Sequence, residues 1–226
     1  MPREIKILSA GAVQPGLSKV IEAFRRETGD RVTVNFATAP AIRQRLSGGQ
    51  APDIVIAPPD LLDEMPQTNR SATRVAIGRI GVGVMVRRDA AAMKISTVDE
   101  FVHALQQAES IVYNQASTGI YLDQLFDRLG AGAQINAKVT RYADFSAVLD
   151  HISHGRGNEL GFGATTVILE NVGAGIKFVG PLPAEIQNYT SYAATTSPEA
   201  NICAHELIRY LTGPSAKGLF TRAGIE

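Results

Sequence analysis

The sequence predicts an α/β protein of two lobes, each built on a mixed, mostly parallel sheet, and three observations carry that prediction. Strand and helix signals alternate along the chain. Four extended hydrophobic runs end in small-residue turns that open helices. Two segments, at about 79–86 and 183–194, read as crossings between lobes. The layout is then one lobe from 1–80 plus 193–226 and another from 84–184, with the crossings as a hinge.

The elements follow in order. Ile5-Lys6-Ile7-Leu8 is a strand, and Ser9 to Ala12 is a turn. A helix from about Pro15 carries Leu17, Val20, Ile21 and Phe24 on one face and stops at Gly29. Val32 to Phe36 is a second strand, and Ile42 and Leu46 mark a short helix after Thr38-Ala39-Pro40. Ile54-Val55-Ile56-Ala57 is a buried strand stopped by Pro58-Pro59. The run from Arg79 to Val86 is extended, with glycines that permit a bend.

In the second lobe Thr97 and Glu100 form a capping box for a helix carrying Phe101, Val102 and Leu105. Ile111-Val112-Tyr113 is a strand, followed by a helix with Tyr121, Leu122, Leu125, Phe126 and Leu129 that ends at Gly130. Thr140 to Asp144 precede a helix holding Phe145, Val148, Leu149 and Ile152, with Asp144 as its cap. Strands at 160–163, 176–179 and 189–194 follow. Ser197-Pro198 then starts a helix through Leu211, and a last one holds Leu219 and Phe220.

The four turns bear on function. A helix N-terminus presents unpaired N–H groups and the positive end of a dipole, so it holds anions without charged side chains. In an open α/β sheet, ligands sit at the carboxyl ends of strands, here in the cleft between lobes. Turns from both lobes meeting on that cleft would make an anion receptor.

Composition excludes other classes. Lys+Arg and Asp+Glu balance at 22 each within 226 residues, which argues against a nucleic-acid or anionic-membrane partner. No apolar run reaches the roughly 18 residues of a membrane span. The start at Met1-Pro2-Arg3-Glu4 carries no secretory leader, so a periplasmic protein would have had one removed, and a cytoplasmic location is the alternative. The single cysteine, Cys203, reads as a buried, inert thiol.

Catalytic and metal chemistry find little footing. Gly155 to Gly161 precedes a strand and lacks the dinucleotide spacing. His151 and His154 share a helix face, with no third metal ligand suggested. No serine stands in a nucleophile elbow. Asp53, Asp144 and Tyr121 are the only acid–base groups near the turns, and neither a cofactor nor a metal is expected. Arg43, Arg45 and Arg141 are candidate charge partners for a planar oxyanion, with Arg156 a weaker one. Arg43 and Arg45, two apart, cannot share a helix face.

The order of several motifs resembles a known family. Asn35 to Leu46, followed by Ala51-Pro52-Asp53-Ile54-Val55-Ile56, is similar to the periplasmic molybdate-binding proteins of ABC importers. There a strand ending in Phe-Ala-Ser-Ser precedes a short helix and a Gly-x-Pro-x-Asp loop. Ser117-Thr118-Gly119-Ile120-Tyr121 resembles the family's Pro-Ala-Gly-Ile-Tyr, and Leu160 to Gly163 its Leu-Gly-Ile-Val-Tyr. Leu211 through Phe220 resembles its closing Leu-x-Gly-Pro-x-Ala-x-x-x-Phe.

The resemblance implies a two-lobed periplasmic-binding-protein-like fold of type II, monomeric, that closes on an oxyanion and serves a membrane permease. The family's first-turn serines fall at Gly11 and Ala12, its second-turn serine at Ala39, and its tyrosine at Gly163. Missing hydroxyls remove donors and enlarge the pocket. The expectation is therefore a small organic di- or tricarboxylate in preference to molybdate or tungstate. The contacts implied are Gly11, Ala12, Val13, Thr38, Ala39, Ser117, Thr118, Gly119, Phe145 and Gly163. The alternatives are a molybdate or tungstate binder, a cytosolic ligand-sensing domain on the same scaffold, and an enzyme acting on a carboxylate.

Overall fold

The computed structural model describes residues 4–66, 74–130 and 132–226. It is a mixed α/β protein with two compact units, Met1–Ile80 with Ser191–Glu226 and Gly81–Thr190.

In the first unit, β1 (Glu4–Ala10) runs parallel to β2 (Arg31–Ala37) on one side and to β3 (Ile54–Ala57) on the other. β3 pairs antiparallel with β9 (Tyr189–Thr196) through Ala193 to Thr196. All four residues of β3 are buried, as a strand covered on both faces requires. A 3-10 turn, Gly11–Val13, leads from β1 into α1 (Gln14–Thr28), which buries Leu17, Val20, Ile21 and Phe24. α2 (Ala39–Ser47) follows β2, and α3 (Pro59–Glu64) follows β3.

α9 (Ile202–Thr212) and α10 (Pro214–Arg222) complete this unit. The helix expected from Ser197-Pro198 starts later, at Ile202. Asn201 is its N-cap and accepts the N–H groups of Cys203 and Ala204 at 3.0 and 3.1 Å, so Pro198 belongs to the turn before it.

The second unit holds the later part of β4 (Arg74–Arg87), which starts earlier than the sequence suggested. Its sheet runs β8-β4-β7-β5-β6, from β5 (Ser110–Asn114), β6 (Val139–Tyr142), β7 (Glu159–Ala164) and β8 (Ile176–Pro181). β5 is parallel to β6 and β7, while β4 is antiparallel to β7 and β8.

Strand alternation sorts this core by face. Val82, Val84, Val86, Ile111, Tyr113, Leu160 and Phe162 pack under α4 (Val98–Gln107), α5 (Ser117–Arg128) and α6 (Gly132–Asn136). Phe162 meets Phe101 and Phe126 edge-to-face at 6.1 and 6.2 Å. Met85 and Val112 lie in the other cluster, with Val148 and Ile152 of α7 (Phe145–His154) and Ile168 of α8 (Thr165–Glu170). α3, α6 and α8, each of six residues or fewer, were not foreseen.

The chain passes from the first unit to the second within β4, at Ile80–Gly81, and returns within β9, at Thr190–Ser191.

Candidate functional site

Within each unit the parallel strands share a carboxyl end, and helices open there. In the first unit, β1 leads to Gly11 and Ala12, both half-buried, and to Val13, whose side chain is wholly in the core. Val13 as a whole residue, backbone included, has no exposed surface. No side chain caps the 3-10 turn or α1, and neither has an acid in its first turn.

β2 leads to Thr38, the extended N-cap of α2. Its hydroxyl makes no capping bond, and no acid stands in the first turn of α2. Thr38 and Ala39 are half-buried. The positive end of α2 is thus not neutralised by its own capping residue.

In the second unit, α5 opens in the same way. Its N-cap is Ala116, no side-chain cap exists, and no acid lies in its first turn. Ser117 and Thr118 are half-buried. Gly119 has a packing reason for its identity: a Cβ there would stand 2.0 Å from the Asn114 carbonyl oxygen. Glycine lets α5 start hard against the end of β5.

The fourth turn differs. Asp144 caps α7 as expected, accepting the Ala147 N–H at 3.0 Å, so this helix opening already carries a carboxylate. Phe145 is the first residue of α7. Its ring fills the space beside Gly163, where a Cβ would lie 2.5 Å from ring Cε2. The expected enlargement at Gly163 is therefore corrected: Phe145 occupies that volume.

Arg43 and Arg141 are engaged within the protein. Arg43 forks onto Glu64, Nε to Oε2 at 2.5 Å and Nη2 to Oε1 at 2.9 Å. That hydrogen bond raises the guanidinium above its ordinary value and lowers the Glu64 carboxyl. The pair stands in a cavity of 730 Å³ with Leu46, Val55, Leu61 and Met65. The same cavity is lined by Gly49, Gln50, Ala51 and Pro52, the residues that lead into β3, and not by Gly11 or Thr38. Arg45 and Arg156 are exposed.

Arg141 donates to Asp123 Oδ1 from Nη2 at 2.5 Å and Nε at 3.2 Å, and lies over the Tyr113 ring. Tyr113 donates to the same oxygen at 2.5 Å. Burial first, and then the Asp123 carboxylate, push the Tyr113 phenol well above its ordinary range. No short-range motif announces Asp123 or Glu64 as partners. They lie 18 and 21 residues from their arginines.

The acid–base groups have structural partners too. Asp53 Oδ2 accepts the Lys6 N–H at 2.7 Å. Tyr121 donates to the Ile186 carbonyl at 2.6 Å and accepts from Arg128. His151 bonds Tyr142 at 2.9 Å, and His154 is exposed beside Asp150. Among the described residues, one group has metal-ligand types close together, Asp30, Cys203 and Glu206. Each of the three has other interactions. Asp30 precedes β2 and Cys203 opens α9, away from the strand-end turns.

Comparison with known proteins adds to this geometry. The model of the family described as bacterial extracellular solute-binding protein matches residues 5–226. A relative from Pseudomonas sp named aconitate isomerase is 27% identical over 237 residues, covering 98% of this chain and 87% of its own. The Azotobacter vinelandii periplasmic molybdate-binding protein shares the fold with a TM-score of 0.80 at 16% identity, covering 98% of each chain. PEB3 of Campylobacter jejuni with bound L-phospholactate gives a TM-score of 0.74 at 12% identity, covering 97% of this chain and 98% of that one. The fold is thus that of the periplasmic binding proteins of the molybdate-binding type.

Proposed function

Since the chain belongs to the bacterial extracellular solute-binding proteins, we propose that it captures a small organic di- or tricarboxylate and delivers it to the membrane permease of an ABC importer. The observation that carries this reading is the set of helix openings at strand carboxyl ends without a side-chain cap or a first-turn acid. Those that carry it are Gly11–Val13 and α1, α2 with Thr38, and α5 with Ser117 and Thr118, and the short α8 after β7 shares the feature. Each can donate backbone N–H groups to a carboxylate oxygen, and the three hydroxyls add donors.

The choice of a carboxylate over molybdate rests on chemistry. A desolvated tetrahedral oxyanion needs nearly every oxygen satisfied. Gly11, Ala12 and Ala39 supply no side-chain donor, and Phe145 fills the place beside Gly163 with carbon. Organic anions suit this scaffold, since PEB3 holds L-phospholactate. The Pseudomonas relative is named for aconitate, a tricarboxylate. Export to the periplasm and a monomeric state belong to the same proposal, in keeping with the family's extracellular description.

A second reading, isomerisation of an unsaturated tricarboxylate, is favoured by that relative's name alone. It requires a group free to move a proton. Asp53, Asp144 and Tyr121 each hold a structural hydrogen bond, which supports binding without turnover.

The test is a thermal-shift panel of cis- and trans-aconitate, citrate, succinate, molybdate, tungstate, sulfate and phosphate. A ligand at 100 times its Kd stabilises by roughly 2.7 kcal/mol. A tricarboxylate is expected to give the largest shift; molybdate or tungstate shifting alone would overturn the carboxylate choice. Proton NMR of cis-aconitate incubated with the protein decides the second reading, since appearance of the trans isomer makes the chain an enzyme.

A further inference from the structure

The 730 Å³ cavity in which Arg43 and Glu64 stand is separate from the strand-end turns, since none of Gly11, Ala12, Thr38 or Ala39 lines it. Three segments of the first unit wall it. They are the end of α2 with the loop down to Pro52, the helix α3, and the turn at 197–199.

Backbone hydrogen bonds fix these walls. Gly48 and Gln50 donate to the carbonyls of Gln44 and Arg45 at 2.9 and 3.0 Å, which closes the end of α2. Ser197 donates to the Asp53 carbonyl at 2.9 Å and Ala200 to that of Ser197 at 3.2 Å, which ties the turn to the residue before β3. The space is thus preformed, and its volume is that of a small-molecule site. The buried part of its lining is carbon, from Pro52, Val55, Leu61 and Met65.

The charges around this carbon are unequal. Arg43 is the single cation among the described lining residues, and its two hydrogen bonds to Glu64 cancel that pair. Asp60, one turn before Glu64 on α3, adds a further carboxylate to the field at Arg43. Glu199 stands on the exposed rim and leaves the lining with a net negative charge. A carboxylate ligand meets repulsion there. A molecule with an aliphatic body and one positive head meets both the carbon and the charge.

We propose that this cavity is a second binding site, for a small amphipathic cation such as an aliphatic amine. Its carbon chain lies on Val55, Leu61 and Met65, and its ammonium group faces Glu199. The Arg43–Glu64 pair closes one wall and, being joined to itself, leaves the head group to Glu199. The site stands independently of the solute held at the strand-end turns.

The experiment is an NMR titration of the whole chain, observed at its methyl groups, with n-hexylammonium, hexanoate and 1-hexanol. Trans-aconitate is added in a separate arm. Hexylammonium is expected to move the Val55, Leu61 and Met65 methyl signals to saturation, hexanol to bind more weakly and hexanoate least. Glu199→Lys, at an exposed position, is expected to weaken hexylammonium about fivefold or more and to strengthen hexanoate. Ala51→Trp, which fills the space from an exposed lining position, is expected to abolish binding of all three. Methyl signals that no probe moves, equal binding of hexanoate or hexanol, or hexylammonium affinity indifferent to Glu199→Lys each overturn the assignment. Trans-aconitate binding is expected to be unchanged in both variants. Its absence in the unaltered protein overturns the polycarboxylate reading alone.

Discussion

Gln187 bonds Val82 as a neighbouring strand residue would. Its Oε1 accepts the Val82 N–H at 2.9 Å, and its Nε2 donates to the Val82 carbonyl at 3.0 Å. A single side chain thus ties the start of the second unit's β4 segment to the residues that lead into β9. Val82 is buried, so its backbone groups need partners from the protein.

Gln187→Ala removes both bonds and leaves the Val82 N–H without this acceptor. The expected loss is about 1–3 kcal/mol of unfolding free energy. Gln187→Glu keeps the acceptor but sets a carboxylate oxygen against the Val82 carbonyl, and is expected to be destabilised at neutral pH. Urea melts of both variants check this. Wild-type midpoints in both would remove the side chain from any role in fixing the crossing.

Thr38→Val and Ser117→Ala separate ligand contact from fold. Neither α2 nor α5 has a side-chain cap at its N-cap residue, so loss of these hydroxyls should leave the melting temperature of the ligand-free protein nearly unchanged. If each hydroxyl meets a desolvated anion, affinity falls by about 1–3 kcal/mol. Calorimetry beside a ligand-free melt reads the two effects apart. A drop in melting temperature with affinity intact would assign both hydroxyls to the scaffold.

The contrast between local and distant signals explains what could be read from residue order. The apolar spacing of Leu17, Val20, Ile21 and Phe24 and the capping residues Thr97 and Asp144 act within one helix, and all appear in the structure as expected. Glu100 also reaches back past the cap, accepting the N–H of Ser96, the residue before Thr97, at 2.9 Å. α3 and α8 begin after Pro58 and Ala164, which cannot cap with a side chain, and they run under two turns. Such helices leave almost no periodic trace. Ser197-Pro198 imitated a helix start, although Asn201 supplies the cap.

The candidate site was legible to the same degree. Turn residues after each strand follow from alternation, but the neighbours of Arg43, Arg141 and Gly163 come from chain positions about 20 residues away. Those pairings decide which arginine is already neutralised and which cavity is already filled. They depend on strand register and helix placement, which no local pattern encodes.

The Tyr113 phenol gives an alkaline signature. Burial and Asp123 raise its folded-state value above the unfolded one, which for tyrosine is about 10. A raised value means that its stability contribution is complete below about pH 10 and is lost as pH climbs toward the folded value. Stability measured by urea at pH 9 and pH 11 should therefore fall, and fall less in Tyr113→Phe. Tyr210, also raised by burial and Glu27, remains in both proteins and cancels in the comparison. Equal slopes in the two proteins would show that the phenol does not carry the effect.

Gly119 sits where β5 hands over to α5, and its substitution tests how closely that helix opening is held. A Cβ placed there would lie 2.0 Å from the Asn114 carbonyl oxygen and 3.0 Å from the Tyr113 ring, so it meets backbone and a buried ring. Neither can rotate away. Gly119→Ala must push the first turn of α5 off the strand end, at a cost of about 1–3 kcal/mol for overpacking. The same shift moves Ser117 and Thr118, so solute affinity should fall with stability. Gly130→Ala, strained by a φ of 67° but with nothing within 4 Å, should lose stability alone. Full affinity in the Gly119 variant would mean that the α5 opening takes no part in holding the solute.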